Sequence, residues 1–297
     1  MTTATARPSA GTPGTLDEAF ERMAAAGFEL PSGFVNHGPM ACEALATWGF
    51  DEDVERWSRR PSGLGGVAIL PAASRSFAWE DALGDYSRLP EWDGYFEASI
   101  DRDGWPEMVA TWVPRLAPSL GTALFHAVIR VSHAVRALGA FDTPPRRAEL
   151  ARALAYWAAR CTPVRQDPEI PEVDDVGAAI LATAGLAARH FLALPRIFEL
   201  HGVTGSMAVS LLAPHLAPHD AVVMLGHLHG NLAGLFADSE AVRVPEVRGI
   251  PAGEIAATAV ASGDPHAVKL AEACLRPEAA GTDTAFQAAA ELVVGRS

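Results

Sequence analysis

The chain has 297 residues, 49% of them apolar, and carries 23 lysines and arginines against 36 acids for a formal charge of −13. This composition fits a soluble acidic protein with a substantial core, and the lack of any basic run argues against a nucleic-acid or anionic-membrane partner. The three cysteines, Cys42, Cys161 and Cys274, are far apart with no CxxC spacing, so they read as reduced, mostly buried thiols of a cytoplasmic protein and not as a disulfide or zinc framework.

Residues 1–14 are small, polar and lack an apolar stretch, which predicts a disordered leader and no signal peptide. From residue 15 to residue 297 period-3.6 patterns recur and alternating patterns are scarce, so the expectation is all-α, a single multi-helix domain. The first helix is predicted over 16–26, with Thr15 as N-cap and Glu18 as its capping-box partner. The stretch from Phe34 to Met40 leads into a helix ending at Trp48. There Asn36 caps, Val35 and Met40 form a hydrophobic staple, and His37 takes the first helical position, aimed inward or packed under the cap. A short charged helix over 51–60 is followed by a Gly-rich run at 61–66, which matches neither GxGxxG nor a Walker A pattern and reads as a linker. Between Trp79 and Trp112 lie four tryptophans, with Tyr86, Tyr95 and Phe96 among them. They fit a pocket for a flat aromatic ligand or, more commonly, core.

A strong helix is predicted over 119–138, ending at Gly139, with Leu124, Val128, Val131, Val135 and Leu138 as its apolar stripe. A second stripe carries His126, Arg130 and His133. His126 and His133 are seven residues apart, roughly 10 Å along a helix, so at most one of them ligates a given metal ion. An amphipathic helix follows over 146–160, then an acidic, Pro-rich loop at 166–175 that ends in an N-cap at Asp174. The apolar run from Val176 to Leu194 is broken by Arg189 and His190 and reads as a buried core helix, not a membrane span, ending before Pro195. Around His201 the small residues Gly202, Gly205 and Ser206 let something approach closely. His227 and His229, two residues apart, face different ways and read as surface or outer residues. An extended connection over 242–251 precedes two closing helices, over 264–275 and 283–294.

The helix at 264–275 holds the only lysine in the chain, Lys269, in a protein that otherwise uses arginine. Asp264 as N-cap and Pro265 as first residue put His266 and Lys269 on one face. Unlike arginine, a buried lysine can lose its proton and become a nucleophile, a Schiff-base partner or a carbamate. Four histidines lie in apolar helical contexts: His37, His126, His201 and His266. Several neutral imidazoles suit iron, zinc, copper or nickel, in a metal site between core helices. No HExxH or EF-hand pattern supplies an anionic ligand, and a carboxylated Lys269 would provide one. Three other readings stand beside this one: a zinc metallohydrolase using the same cage, a Schiff-base enzyme, and a non-catalytic helical ligand-binding protein with satisfied histidines.

Four stretches, NHGPMACEAL (36–45), FHAVIRVSHAVRAL (125–138), LHGVTGSMAVSLL (200–212) and DPHAVKLAEACL (264–275), resemble the questin oxidase-like family, in the expected order. The resemblance implies an oxidoreductase that uses O2 to cleave a ring of an anthraquinone or related aromatic polyketide. For some members it implies Baeyer–Villiger-type oxidation with NADPH or another external reductant. For ring-cleaving relatives it implies a non-haem Fe(II) held by His37, His126, His201, His266 and carboxylated Lys269. The chain departs from the fungal members at Arg130, where they tend to carry a second histidine. The proposed substrate-orienting residues are His133 and Arg130. No Gly-rich strand–turn–helix for a nicotinamide or flavin is visible in the sequence. Substrate identity and oligomeric state are left open at this stage.

Overall fold

In the computed structural model, proline and aspartate mark where helices begin. Pro13, Pro144, Pro218 and Pro265 each open a helix, at a position where the missing N–H is no loss. Asp175, Asp264 and Asp283 accept from the N–H groups of Ala178, His266 and Ala285 and so satisfy first-turn donors. The structure describes residues 13–30, 35–60, 77–162, 168–279 and 281–295.

The described residues form fourteen α-helices and no strand. The first six are α1 (Pro13–Met23), α2 (Gly38–Trp48), α3 (Asp51–Ser58), α4 (Trp79–Ala82), α5 (Leu89–Asp103) and α6 (Trp105–Leu116). Then come α7 (His126–Ala140), α8 (Pro144–Ala159), α9 (Val176–Ala193) and α10 (Ile197–Leu212). The last four are α11 (Pro218–Leu235), α12 (Ala252–Ser262), α13 (Pro265–Cys274) and α14 (Thr284–Val294). The fold is all-α, as the periodicity predicts.

Four helices form the centre: α2 packs on α7, α7 on α10, α10 on α13, and α13 back on α2. Helix α10 is enclosed, with every residue from Glu199 to Val209 buried. Its small residues make this possible. A Cβ on Gly205 would lie 2.6 Å from two ring carbons of Phe125, and one on Gly202 would meet the Phe236 ring at 2.5 Å. The close approach expected here is therefore made by two phenylalanines. The tryptophan-rich stretch is core: Trp92, Phe96 and Trp112 are buried and stack edge-to-face or in parallel, with centroids 5.0–5.5 Å apart. Cys42, Cys161 and Cys274 are buried free thiols. Helix α9 is the one described helix long and apolar enough to cross a membrane by length and composition, and it packs on α10, α11 and α14.

Some boundaries differ from the sequence expectation. Helix α1 starts at Pro13 and ends at Met23, so Thr15 lies inside the helix and is not its cap. The rest of the expected leader and the Gly-rich run at 61–66 lie outside the described residues. The cap of α9 is Asp175, one residue beyond the expected Asp174. The largest difference is at 119–138. The chain makes a 3-10 turn over Ala117–Ser119 and then an irregular turn, and α7 begins only at His126. Pro118 and Gly121 interrupt the helix pattern, and Ala123, Leu124 and Phe125 adopt left-handed backbone with φ of 49°, 55° and 63°. Gly139 lies inside α7, which ends at Ala140.

Candidate metal centre

Each of the four central helices brings one histidine to the same end of the ring. His37 is the N-cap of α2, His126 the first residue of α7, His266 the second of α13, and His201 the fifth of α10. Asn36 fixes the start of α2, its Oδ1 accepting from Gly38 N–H at 2.9 Å, so His37 leads the helix one residue earlier than expected, as the cap. The ligand nitrogens of His37, His126, His201 and His266 all lie within 4.8 Å of one another, a group that could hold a metal ion.

The geometry inside the group is specific. His126 Nε2 lies 2.8 Å from His37 Nε2 and 3.0 Å from His201 Nε2. The outer nitrogens are already committed. His126 Nδ1 donates to the Ala123 carbonyl at 2.5 Å, and His201 Nδ1 donates to the Ile197 carbonyl at 2.6 Å. A carbonyl can only accept, so both protons sit on Nδ1 and the two Nε2 lone pairs face each other. Such an arrangement is repulsive until a cation enters between the nitrogens. His266 Nδ1 lies 3.2 Å from Asp264 Oδ1, a carboxylate partner of the kind that orients ligating histidines.

The electrostatics agree. Burial, followed by the nearby Lys269 charge, holds the pKa of His37 and His126 well below the usual histidine value. Burial, followed by His126 and Lys269, does the same to His201. These are neutral imidazoles, the form that binds metal. Lys269 is 1% exposed, its Nζ has no hydrogen-bond partner among the described residues, and burial brings its pKa down to about 7. Among the described residues the cluster contains no carboxylate or thiol.

The left-handed turn before α7 is the frame of the site. It bends Ala123 O back onto His126 and drives Phe125 against Gly205, one turn beyond His201. Two cavities reach the cluster. One of about 730 Å³ has His126, Ala123 and Leu124 in its wall. A smaller one of about 270 Å³ has His266, Asp264 and Leu200 in its wall.

His133 and Arg130 are placed elsewhere. His133 Nδ1 donates to Glu43 Oε2 at 2.5 Å, and Arg130 forks onto Glu149 at 2.6 and 2.9 Å. Both are buried, both are engaged by carboxylates, and neither lines the two cavities at the cluster, so the substrate-orienting role expected for them has no support in this arrangement. His227 is buried, not at the surface, while exposed His229 pairs with Thr183, and neither joins the group. Sequence reasoning missed Glu43 and Glu272. Beneath the histidines these two carboxylates form a buried ion network with His133, Arg136 and Arg276. Their i, i+6 spacing from His37 and His266 was visible in the sequence but has no distinguishing pattern of its own. Comparison of the chain with protein-family models and with curated proteins gives no match.

Proposed function

We propose that the protein is a non-haem iron oxygenase of the questin oxidase-like kind, cleaving a ring C–C bond of an anthraquinone-like aromatic polyketide with O2 as co-substrate. The observation that carries this reading is the convergence of four imidazoles whose ligand nitrogens lie within 4.8 Å of one another, with the outer nitrogens of His126 and His201 tied back to carbonyls and their inner nitrogens facing each other. An orphaned buried amine stands beside them.

In this reading His37, His126, His201 and His266 hold Fe(II), and the ion supplies the oxygen chemistry when bound. Three of the four histidines stand within the first turn of their helices, so positive dipole ends point at the cage and an anionic ligand is needed there. Lys269 can provide it. Its neutral amine attacks the carbon of CO2, an N–C bond forms as one C–O π bond opens onto oxygen, and a nitrogen proton leaves to solvent. The product is a carbamate anion in place of an unpaired base. Ala123 O and Ile197 O hold the ring protons of His126 and His201 outward, and Asp264 orients His266, so the inner nitrogens stay aimed at the cage. NADPH or another reductant would be supplied from outside the chain.

Protein purified without added metal should contain one iron per chain, take up oxygen with a hydroxyanthraquinone, and carry a carbon-dioxide adduct on Lys269 by intact mass at neutral pH. Stoichiometric zinc with no oxygen uptake would instead make the same cage a hydrolytic site. Trapping of a carbonyl compound on Lys269 by borohydride would turn the reading towards Schiff-base chemistry.

A further inference from the structure

The four central helices have a second end, and a cavity of about 590 Å³ lies there, within the size range of small-molecule sites. Helices α2, α7, α10 and α13 each carry a histidine near the start, and about ten residues further on they present Trp48, Arg136, Leu211 and Leu275 to this cavity. At about 1.5 Å per residue the cavity is roughly 15 Å from the cage along every helix. Glu272 and Arg276 of the buried ion network form its inner wall.

Most of the remaining wall is apolar. Trp48 and Phe50 meet edge-to-face at 6.3 Å, both half-buried, and Ala256 of α12 adds to them. The polar group a visitor can reach is Arg136, whose side chain lines the cavity and is 19% exposed. A guanidinium has five N–H donors and no acceptor. Three of these go to the Glu43 and Glu272 carboxylates. The neighbouring His133 Nδ1 donates its own proton to Glu43, so it takes none of the others. Two N–H groups of Arg136 therefore have no acceptor among the described residues.

The charges decide what such a donor can hold. Arg136 and Arg276 face Glu43 and Glu272, and burial holds the pKa of His133 below the usual histidine value, so the network is balanced. It has no surplus positive charge for an anion, and a chain of net charge −13 adds none. A cation finds no open carboxylate inside either: both oxygens of Glu272 accept from arginines, and Glu278 stands exposed at the rim. The Thr47 hydroxyl is turned back onto the Glu43 carbonyl at 3.0 Å. What remains is an apolar wall with one donor, which suits an uncharged molecule that accepts a hydrogen bond.

We propose that this cavity is a second small-molecule site, for a neutral and mainly apolar ketone or ester whose carbonyl oxygen accepts a hydrogen bond from Arg136. The site stands apart from the cage and does not rest on the oxygenase reading.

The test is calorimetric titration of the metal-free full chain, in excess chelator, with camphor, 2-nonanone and γ-nonalactone, three neutral carbonyl compounds of different shape. At least one should bind saturably, at one site per chain. Ala252→Trp, at an exposed position of the wall, and Leu211→Trp, at a half-buried one, should each raise Kd at least about tenfold by filling the space. Thr162→Trp, an exposed position in the wall of the larger cavity beside the cage, should leave Kd within about twofold. Replacing the carbonyl oxygen of the bound compound by a methylene group should weaken binding at least about fivefold, and an amine or carboxylate on the same skeleton should weaken it at least about tenfold. The proposal is overturned if none of the three compounds saturates, or if Kd is unchanged in both filling variants with helical circular dichroism intact. It is equally overturned if Thr162→Trp alone weakens binding, or if the methylene or charged analogues bind as tightly as the carbonyl compound.

Discussion

Helices α2, α7, α10 and α13 build two polar layers, six or seven residues apart along each helix, and the layers are opposite in kind. In the deeper layer Glu43 takes hydrogen bonds from His133 and Arg136, Glu272 takes them from Arg136 and Arg276, and Arg276 Nη1 donates to the Met207 carbonyl at 2.8 Å. Burial alone would raise the pKa of Glu43, but Arg136 and His133 outweigh it and bring it to about 2. Each carboxylate there has its counter-charge. In the histidine layer, lone pairs of His126 and His201 face each other and the amine of Lys269 has no partner. His126, His201 and Lys269 are buried as Glu43 and Glu272 are, so for these groups burial does not separate the two layers; satisfaction does. The layer that lacks partners is the one that could hold a metal ion.

The strongest way to break this contrast is to remove a charge from the satisfied layer. Glu272→Ala leaves Arg136 and Arg276 without their shared carboxylate and should cost about 3–5 kcal/mol in urea unfolding. His201→Ala, at a position just as buried in the other layer, should cost the metal-free protein far less and abolish metal uptake. If the two variants unfold alike without metal, the layers do not differ in the way described.

Lys269→Met comes next, with the opposite sign. The ammonium is destabilised by burial, and its pKa falls to about 7. Between that value and the unfolded value of about 10.4, the unfolded chain binds a proton that the folded chain has released. Stability of the metal-free protein therefore rises with pH across this window, by up to about 1.4 kcal/mol per unit, and below it the full cost of the buried charge is present. Lys269→Met should remove this slope and stabilise the metal-free fold at pH 6 by about 1–4 kcal/mol. Denaturation midpoints from pH 6 to pH 10 decide the matter, and a wild-type curve that is flat there contradicts a buried unpaired amine.

Gly205→Ala tests the frame of the histidine layer and leaves the ion network alone. The added methyl would strike the Phe125 ring, an overpacking worth about 1–3 kcal/mol, and it pushes on the residue next to His126. Cobalt affinity by spectrophotometric titration should drop at least about tenfold, more than the loss in melting temperature would suggest.

How much of this was legible in the sequence follows from what each feature depends on. The helices were legible because their signals are local: apolar period, Pro265 at a first turn, Asp264 as a cap. The four histidines and Lys269 could be picked out because each is chemically conspicuous in an apolar setting. Their convergence could not be derived from spacing, since they are separated by as many as 229 positions, from His37 to His266, and only packing brings them together. The turn at Ala123–Phe125 gave no sign at all. Left-handed backbone usually calls for Gly or Asn, and Ala-Leu-Phe reads as helix. Here the fit of Phe125 against Gly205 overrides the local preference.

That turn carries the smallest predicted effect and the sharpest one. Ala123 sits at φ 49°, where an L-residue costs about 1 kcal/mol relative to glycine. Ala123→Gly relieves that strain, but it also loosens the unfolded chain by about 0.4–1 kcal/mol, so the net change should lie between about zero and 0.6 kcal/mol of stabilisation. The same substitution slackens the strut that holds Ala123 O against His126 Nδ1. Strain of this kind persists only where the surroundings over-determine it, and it clusters where geometry matters to function. The expected outcome is a protein as stable as wild type or slightly more so, with several-fold weaker cobalt binding. Equal cobalt affinity in wild type and variant would mean that the turn is a consequence of core packing and that His126 is positioned by α7 alone.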